Sequence, residues 1–134
     1  MGDKINIDVL TLDSVQCAAC GYMMESIAAL PQDVQEMIEY REWSIKSKDG
    51  IGKFTELKGK VLPTICIEKD LVFQSIIPQY EELIDEMKKR APSAEMRERL
   101  QAVRDHGFEF DKVEENLKRA GAGLATRTDS KIEK

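Results

Sequence analysis

The chain is poor in histidine, cysteine and aromatic residues. Its 134 residues include one histidine, three cysteines and four prolines, and Phe, Trp and Tyr together make up 6%. Each scarcity excludes something. With His106 alone and no second Cys-x-x-Cys, the chain lacks the paired-ligand spacing of a common structural zinc site. Three cysteines are too few, and odd in number, for a disulfide framework. No run approaches the roughly 18 apolar residues that signal a membrane span. The net charge is -5, with acidic and basic residues interspersed and no basic stripe, so nucleic acid is not an expected partner. The start, MGDKINIDVL, lacks the charged-then-apolar layout of a signal peptide, and Asn6 breaks the myristoylation pattern. The expected location is the cytoplasm, where thiols are kept reduced. No internal repeat is present.

What remains is a chain with 42% hydrophobic and 34% charged residues, enough for one core under a well-solvated surface. Its length fits one domain with an appendage. KINIDVLTL, from Lys4 to Leu12, alternates Ile5, Ile7 and Val9, the period of a strand. Asp13 and Ser14 are turn and cap formers. Met23, Ile27 and Leu30 then follow helical spacing, widened by Met24 and Ala28, until Pro31. A second strand is centred on Ile38–Trp43. KSKDGIGKF reads as a turn and a short helix with Ile51, Phe54 and Leu57 facing inward and Gly59 as its stop. Val61 to Ile67 and Leu71 to Ile77, split by Glu68-Lys69-Asp70, read as a hairpin. Pro78 opens a helix through Arg90, with Leu83, Ile84 and Met87 buried.

The resulting order, β-α-β-α-β-β-α in about 90 residues, is that of an α/β sandwich of two or three layers. Beyond residue 90 the pattern turns helical. Pro92 and Ser93 start one helix carrying Met96, Leu100 and Val103. DHGFEF interrupts it, Asp111 and Glu114 form a box-like second start, and Phe110, Val113 and Leu117 line up. This helical hairpin either folds back on its own sheet or packs in a dimer. Disorder is expected beyond about Leu124.

Chemistry concentrates in SVQCAACGYMMESIAAL. Cys17 falls at a loop–helix junction, near unsatisfied N–H groups and the positive end of the helix dipole, which favours its thiolate. Cys20, one turn further in, is expected to be more buried. At this spacing the two sulfurs can bridge. Cys17 is then the nucleophile and Cys20 the resolving thiol. The alternatives are packing cysteines, or a metal site completed by Cys66, His106 or a second subunit. Cys66 reads as a small buried hydrophobe, His106 as a surface or capping residue, and Tyr40 and Trp43 as sheet packing.

Two motifs together carry a resemblance. CAAC after a first strand, and VLPT some forty residues later before a hairpin and a helix, resemble the thioredoxin superfamily, and within it the small thioredoxin-like redox-active disulfide proteins. The resemblance covers about residues 3 to 90. It implies a thioredoxin-like fold over residues 1–90; the helical extension at 91–123 and the disordered tail expected at 124–134 lie outside it. It implies that Cys17 and Cys20 are the nucleophilic and resolving cysteines. It implies a cis-proline at Pro63, substrate-peptide pairing at the Leu62 backbone, and Thr64 as part of the same pattern. The expected function is thiol–disulfide oxidoreduction on a partner protein, with no cofactor and with electrons from a reductase or thiol donor. The family's flanking tryptophan and lysine are absent around CAAC, and Asp13 is the nearest match to its buried acid. The other reading is a non-catalytic binding module that docks a partner through Phe108, Phe110, Val113 and Leu117, or binds a metal through its cysteines.

Overall fold

The computed structural model describes residues 4–13 and 17–121. Ser14, taken above as a cap former, and the 124–134 tail lie outside the described residues. The chain is a mixed α/β fold with one four-stranded mixed sheet and, among the described residues, six helices. Strand β1 (Ile5–Thr11) leads into α1 (Ala18–Ala28) and a short α2 (Gln32–Gln35). Strand β2 (Ile38–Ser44) and helix α3 (Lys48–Glu56) follow. The hairpin is β3 (Thr64–Ile67) and β4 (Asp70–Gln74). Helices α4 (Tyr80–Lys89), α5 (Ala94–Ala102) and α6 (Val113–Arg119) complete the chain.

The sheet order is β2-β1-β3-β4. β1 lies parallel to β2, with Ile5 opposite Ile38 and Thr11 opposite Ser44. It lies antiparallel to β3, with Ile7 opposite Ile67 and Leu10 opposite Thr64. Alternation along β1 therefore sorts two cores. Ile5, Ile7 and Val9 join Tyr40, Ile65 and Ile67 beneath Met23 and Ile27 of α1 and Leu83, Ile84 and Met87 of α4. Leu10 faces the other way, with Cys66 and Leu57, against Trp43 and Phe54.

The helical extension folds back onto its own chain. Leu100, Leu117 and Ala120 are buried in the larger core, and Phe108 and Val113 pack against it. Of the apolar residues expected to form a docking face, only Phe110 is largely exposed. Phe108 stacks edge-on against Tyr80 at 5.2 Å.

Several local expectations shift. The hairpin strands stop short of the apolar runs at their open end, β3 starting only at Thr64 and β4 ending at Gln74, before Ser75 at positive φ; at the closed end Glu68 and Lys69 both take positive φ and turn the chain in two residues. A bulge between Ile65 and Cys66 then offsets the register. Pro78 stands outside its helix. Gln79 is the N-cap, its N–H donating to Glu82 Oε1 at 2.9 Å, so the box starts the helix at Tyr80. The Asp111–Glu114 start is not made: the N-cap is Lys112, without a side-chain cap bond. Ile51 is exposed rather than inward, since α3 rests on its Leu57 and Phe54 side. The stop of α3 is a Schellman turn in which Lys58, at φ 61, is the left-handed residue. Its two bonds are Lys58 N–H to Thr55 O at 3.0 Å and Gly59 N–H to Phe54 O at 2.8 Å. Gly59 is needed because a Cβ there would lie 2.5 Å from the Phe54 ring. Among the described residues no helix is long and apolar enough to cross a membrane.

A cysteine pair at the start of the first helix

Helix α1 begins because Cys17 caps it. Cys17 is extended (φ -102, ψ 113), and its Sγ accepts the Cys20 N–H at 3.3 Å. A sulfur thus occupies the place of the usual Ser or Asp oxygen. Asp13 fixes the entry, its carbonyl accepting the Cys17 N–H at 2.7 Å. Ala18 and Ala19, between the cysteines, are exposed. Cys17 is partly exposed and Cys20 fully buried, and both are free thiols. An incoming sulfur can reach Cys17, whereas Cys20 lies behind it.

Cys20 sits in a set of donors. The Leu12 N–H points at its Sγ from 3.3 Å, and the Asp13 backbone adds a second hydrogen bond. Burial and the hydrogen bond with Cys17 push the Cys20 thiol up to about 11, while the Leu12 and Asp13 N–H groups pull the other way. Desolvation wins, so Cys20 rests as the protonated thiol at neutral pH.

The sequence reading missed the segment that follows β2. Its signal was the parallel register: strands paired with Thr11 opposite Ser44 end side by side, so residues 44–46 must flank residues 11–13. The Ile45 N–H donates to Thr11 O at 2.9 Å, and Ser44 Oγ donates to Leu12 O at 2.7 Å. Lys46 Nζ lies 3.5 Å from Asp13 Oδ2, and Asp13 is nearly buried. Thr11 Oγ1 donates to Glu42 Oε2 at 2.6 Å. Gly50 allows α3 to start against this segment, for a Cβ there would overlap the Ser44 carbonyl.

Leu62, Pro63 and Thr64 reach the same end of the sheet. Leu62–Pro63 is a cis peptide, and Pro63 and Thr64 are buried. The last β1–β3 pair is Leu10–Thr64, so Leu62 and Pro63 precede β3 at the end of the sheet where the Leu12 N–H touches Cys20. Among the described residues the Leu62 backbone makes no hydrogen bond. The Ser75 N–H donates to Pro63 O at 2.7 Å and draws the Ile76–Ile77 segment to this end. Leu12, Val61, Ile76 and Ile77 are all exposed there.

The other candidates stand apart. Cys66 is fully buried on the opposite face of the sheet, where burial and the nearby Asp8 and Asp70 push its thiol up to about 12. His106 pairs with Glu109 on the surface, Nε2 to Oε2 at 2.7 Å. Tyr40 is buried, its hydroxyl donating to Asn116 O at 2.7 Å, and Trp43 Nε1 donates to Asp8 Oδ1 at 2.8 Å. Among the described residues no three His, Cys, Asp or Glu side chains cluster as a metal site would require. Compared with protein-family models, curated proteins and solved structures, the chain matches none.

Proposed function

We propose that the protein is a cytoplasmic thiol–disulfide oxidoreductase of thioredoxin-like fold that works through the Cys17/Cys20 pair. The observation that carries this reading is the unequal pair at the start of α1. Cys17 is the accessible N-cap sulfur, and Cys20 is the buried thiol one turn behind it, hydrogen-bonded to it and to backbone N–H groups. The element order β-α-β-α-β-β-α, with α2 added, also supports it.

The reaction balances as a two-electron exchange. The Cys17 thiolate attacks one sulfur of a substrate disulfide, whose other sulfur leaves as a thiolate and takes up a proton. Cys20 loses its proton and attacks Cys17 Sγ. The Cys17–Cys20 disulfide forms, and the second substrate sulfur leaves. The substrate ends as a dithiol and the protein as a disulfide, which an external reductase or thiol donor reduces again. Asp13, whose backbone lies against Cys20 and whose side chain pairs with Lys46, is the proposed acceptor of the Cys20 proton. An extended substrate segment pairs with the open Leu62 backbone, beside Pro63 and Thr64, and rests on Val61 and Ile76.

Free-thiol titration in a series of dithiol/disulfide buffers tests this reading. One two-electron transition is expected, lost in both Cys17→Ser and Cys20→Ser and unaffected by Cys66→Val. Absence of a disulfide across the whole series would overturn it.

A further inference from the structure

We infer that Ser44 is a positioning residue for the resolving step, holding through one peptide group the backbone donor that supports the Cys20 sulfur. The inference rests on the dithiol–disulfide reading of Cys17 and Cys20.

Two peptide groups meet at Cys20, and each is backed from behind. The first joins Thr11 to Leu12. Its carbonyl accepts the Ile45 N–H at 2.9 Å, and its N–H points at Cys20 Sγ from 3.3 Å. The second joins Leu12 to Asp13. Its carbonyl accepts Ser44 Oγ–H at 2.7 Å, and its N–H is the Asp13 donor to Cys20. A hydrogen bond to an amide carbonyl polarises the amide and strengthens its N–H as a donor, by about 10–30% per bond. One relay is pure backbone. In the other, the Ser44 hydroxyl is the only side-chain group.

The same hydroxyl accepts the Lys46 N–H at 3.2 Å and so also fixes the turn that brings Lys46 to Asp13. Among the described residues, Cys17 from α1 is the titratable group that acts directly on the Cys20 thiol, while Asp13 at the end of β1 meets it through its backbone and pairs with Lys46 beyond β2.

The resolving step needs this support. Cys20 must give up its proton inside a buried site before it attacks Cys17 Sγ. The N–H donors are the groups that meet the charge in the interval before the new S–S bond forms. Ser44 touches no reacting atom and acts only through the Leu12–Asp13 peptide.

The test is two-phase reaction of the reduced full-length chain with 5,5′-dithiobis(2-nitrobenzoate), followed from about pH 6 to about pH 10. Cys17 attacks the reagent and releases one thionitrobenzoate. Cys20 then attacks Cys17 Sγ and displaces the second, leaving the Cys17–Cys20 disulfide. Cys66 is counted separately after denaturation. Ser44→Ala is expected to slow the second phase about threefold near neutral pH and to move its pH midpoint upward, leaving the first phase unchanged. Ser44→Thr, which keeps the hydroxyl, is expected to restore both. A second phase in Ser44→Ala with wild-type rate and midpoint overturns the inference. So does equal slowing of both phases, or failure of Ser44→Thr to restore, since either marks a displaced loop. If the wild-type chain never releases the second equivalent, it is the dithiol reading that fails.

Discussion

The two ends of α1 are held in opposite ways. At the start, a sulfur caps the helix, its side chain is partly exposed, and the second sulfur leans on backbone N–H groups. At the finish, the final carbonyls are bound by neutral, mostly buried donors. Gln35 Nε2 donates to Ile27 O at 2.8 Å, Ala28 O at 3.3 Å and Leu30 O at 3.2 Å. Asn116 Nδ2, from α6, donates to Ala28 O at 2.8 Å, and the Glu109 N–H donates to Ala29 O at 2.6 Å. A helix clamped at one end can carry an incompletely covered group at the other without fraying. The extension beyond residue 90 thus has a structural use within this chain: it helps to clamp the far end of the helix that bears the thiols.

The comparison predicts a division of labour. Changes at the start should cost chemistry and spare stability, and changes at the finish the reverse. The largest effect is expected from Cys17→Ser. On the proposed function, turnover of a model protein disulfide should fall by about a thousandfold or more, because the sulfur proposed to attack is gone. The thermal midpoint should move by only about 3 °C or less, since serine is itself a good cap. A large loss of stability in this variant would break the comparison.

Gln35→Ala is next. It strips a buried donor from three carbonyls, of which Ala28 O keeps Asn116 and Ile27 O keeps the Leu30 N–H at 3.2 Å. The orphaned Leu30 carbonyl puts the expected loss at about 1–3 kcal/mol. Urea unfolding measures it. The redox midpoint of the cysteine pair should stay where it is. If both quantities move, the ends of α1 are coupled rather than independent.

The buried thiols on the two faces of the sheet sharpen the contrast under alkali. In the folded chain Cys66 is pushed up to about 12, against about 8.5 for an unfolded cysteine. Between those values the unfolded chain has released the proton and the folded chain has kept it, so stability falls as pH rises. Below about pH 8.5 the contribution is fully present, and it is lost as pH climbs through about 12. Cys20, at about 11, acts with the same sign. Cys66→Val should therefore lose up to about 2 kcal/mol less than wild type between about pH 7 and about pH 10, as urea midpoints at both values would show. Turnover at neutral pH should be unchanged. Equal losses in the two proteins would mean that Cys66 meets solvent in the folded state.

Much of this contrast was legible in the residues, and the missing parts have physical causes. Strand alternation in KINIDVLTL and the helical spacing of Met23, Ile27 and Leu30 placed β1 and α1 within one or two residues, because one face of each is buried. The position of Cys17 at the helix start followed from Asp13-Ser14 and the apolar run behind it. Ser44 and Lys46 were not legible, since their role depends on parallel pairing of strands separated by 26 residues, Thr11 to Ile38. Nor was the Gln35 clamp, because a glutamine in a four-residue helix has no periodicity to betray it. Boundaries failed where capping competed with apolar content, as at Pro78 and at Asp111. Helical spacing alone could not show that Ile51 faces outward, because α3 turns mainly its Phe54 and Leu57 side to the sheet.

The smallest effect tests what the clamp is made of. Arg99 of α5 reaches Asp33 of α2 at 3.2 Å and Glu36 at 3.9 Å, bridging the extension to the segment just past α1. All three side chains are substantially exposed, 41% for Arg99 and 55% and 65% for its partners. Exposed pairs are screened by water and salt and lose side-chain freedom when they form, so Arg99→Ala should cost no more than about 0.5 kcal/mol. Adding salt should shrink even that difference. The buried neutral bonds from Gln35 and Asn116 are shielded from both effects. A cost above about 1 kcal/mol that fades with salt would mean the far end is held by surface charge, and the assignment of the clamp to buried amides would have to be withdrawn.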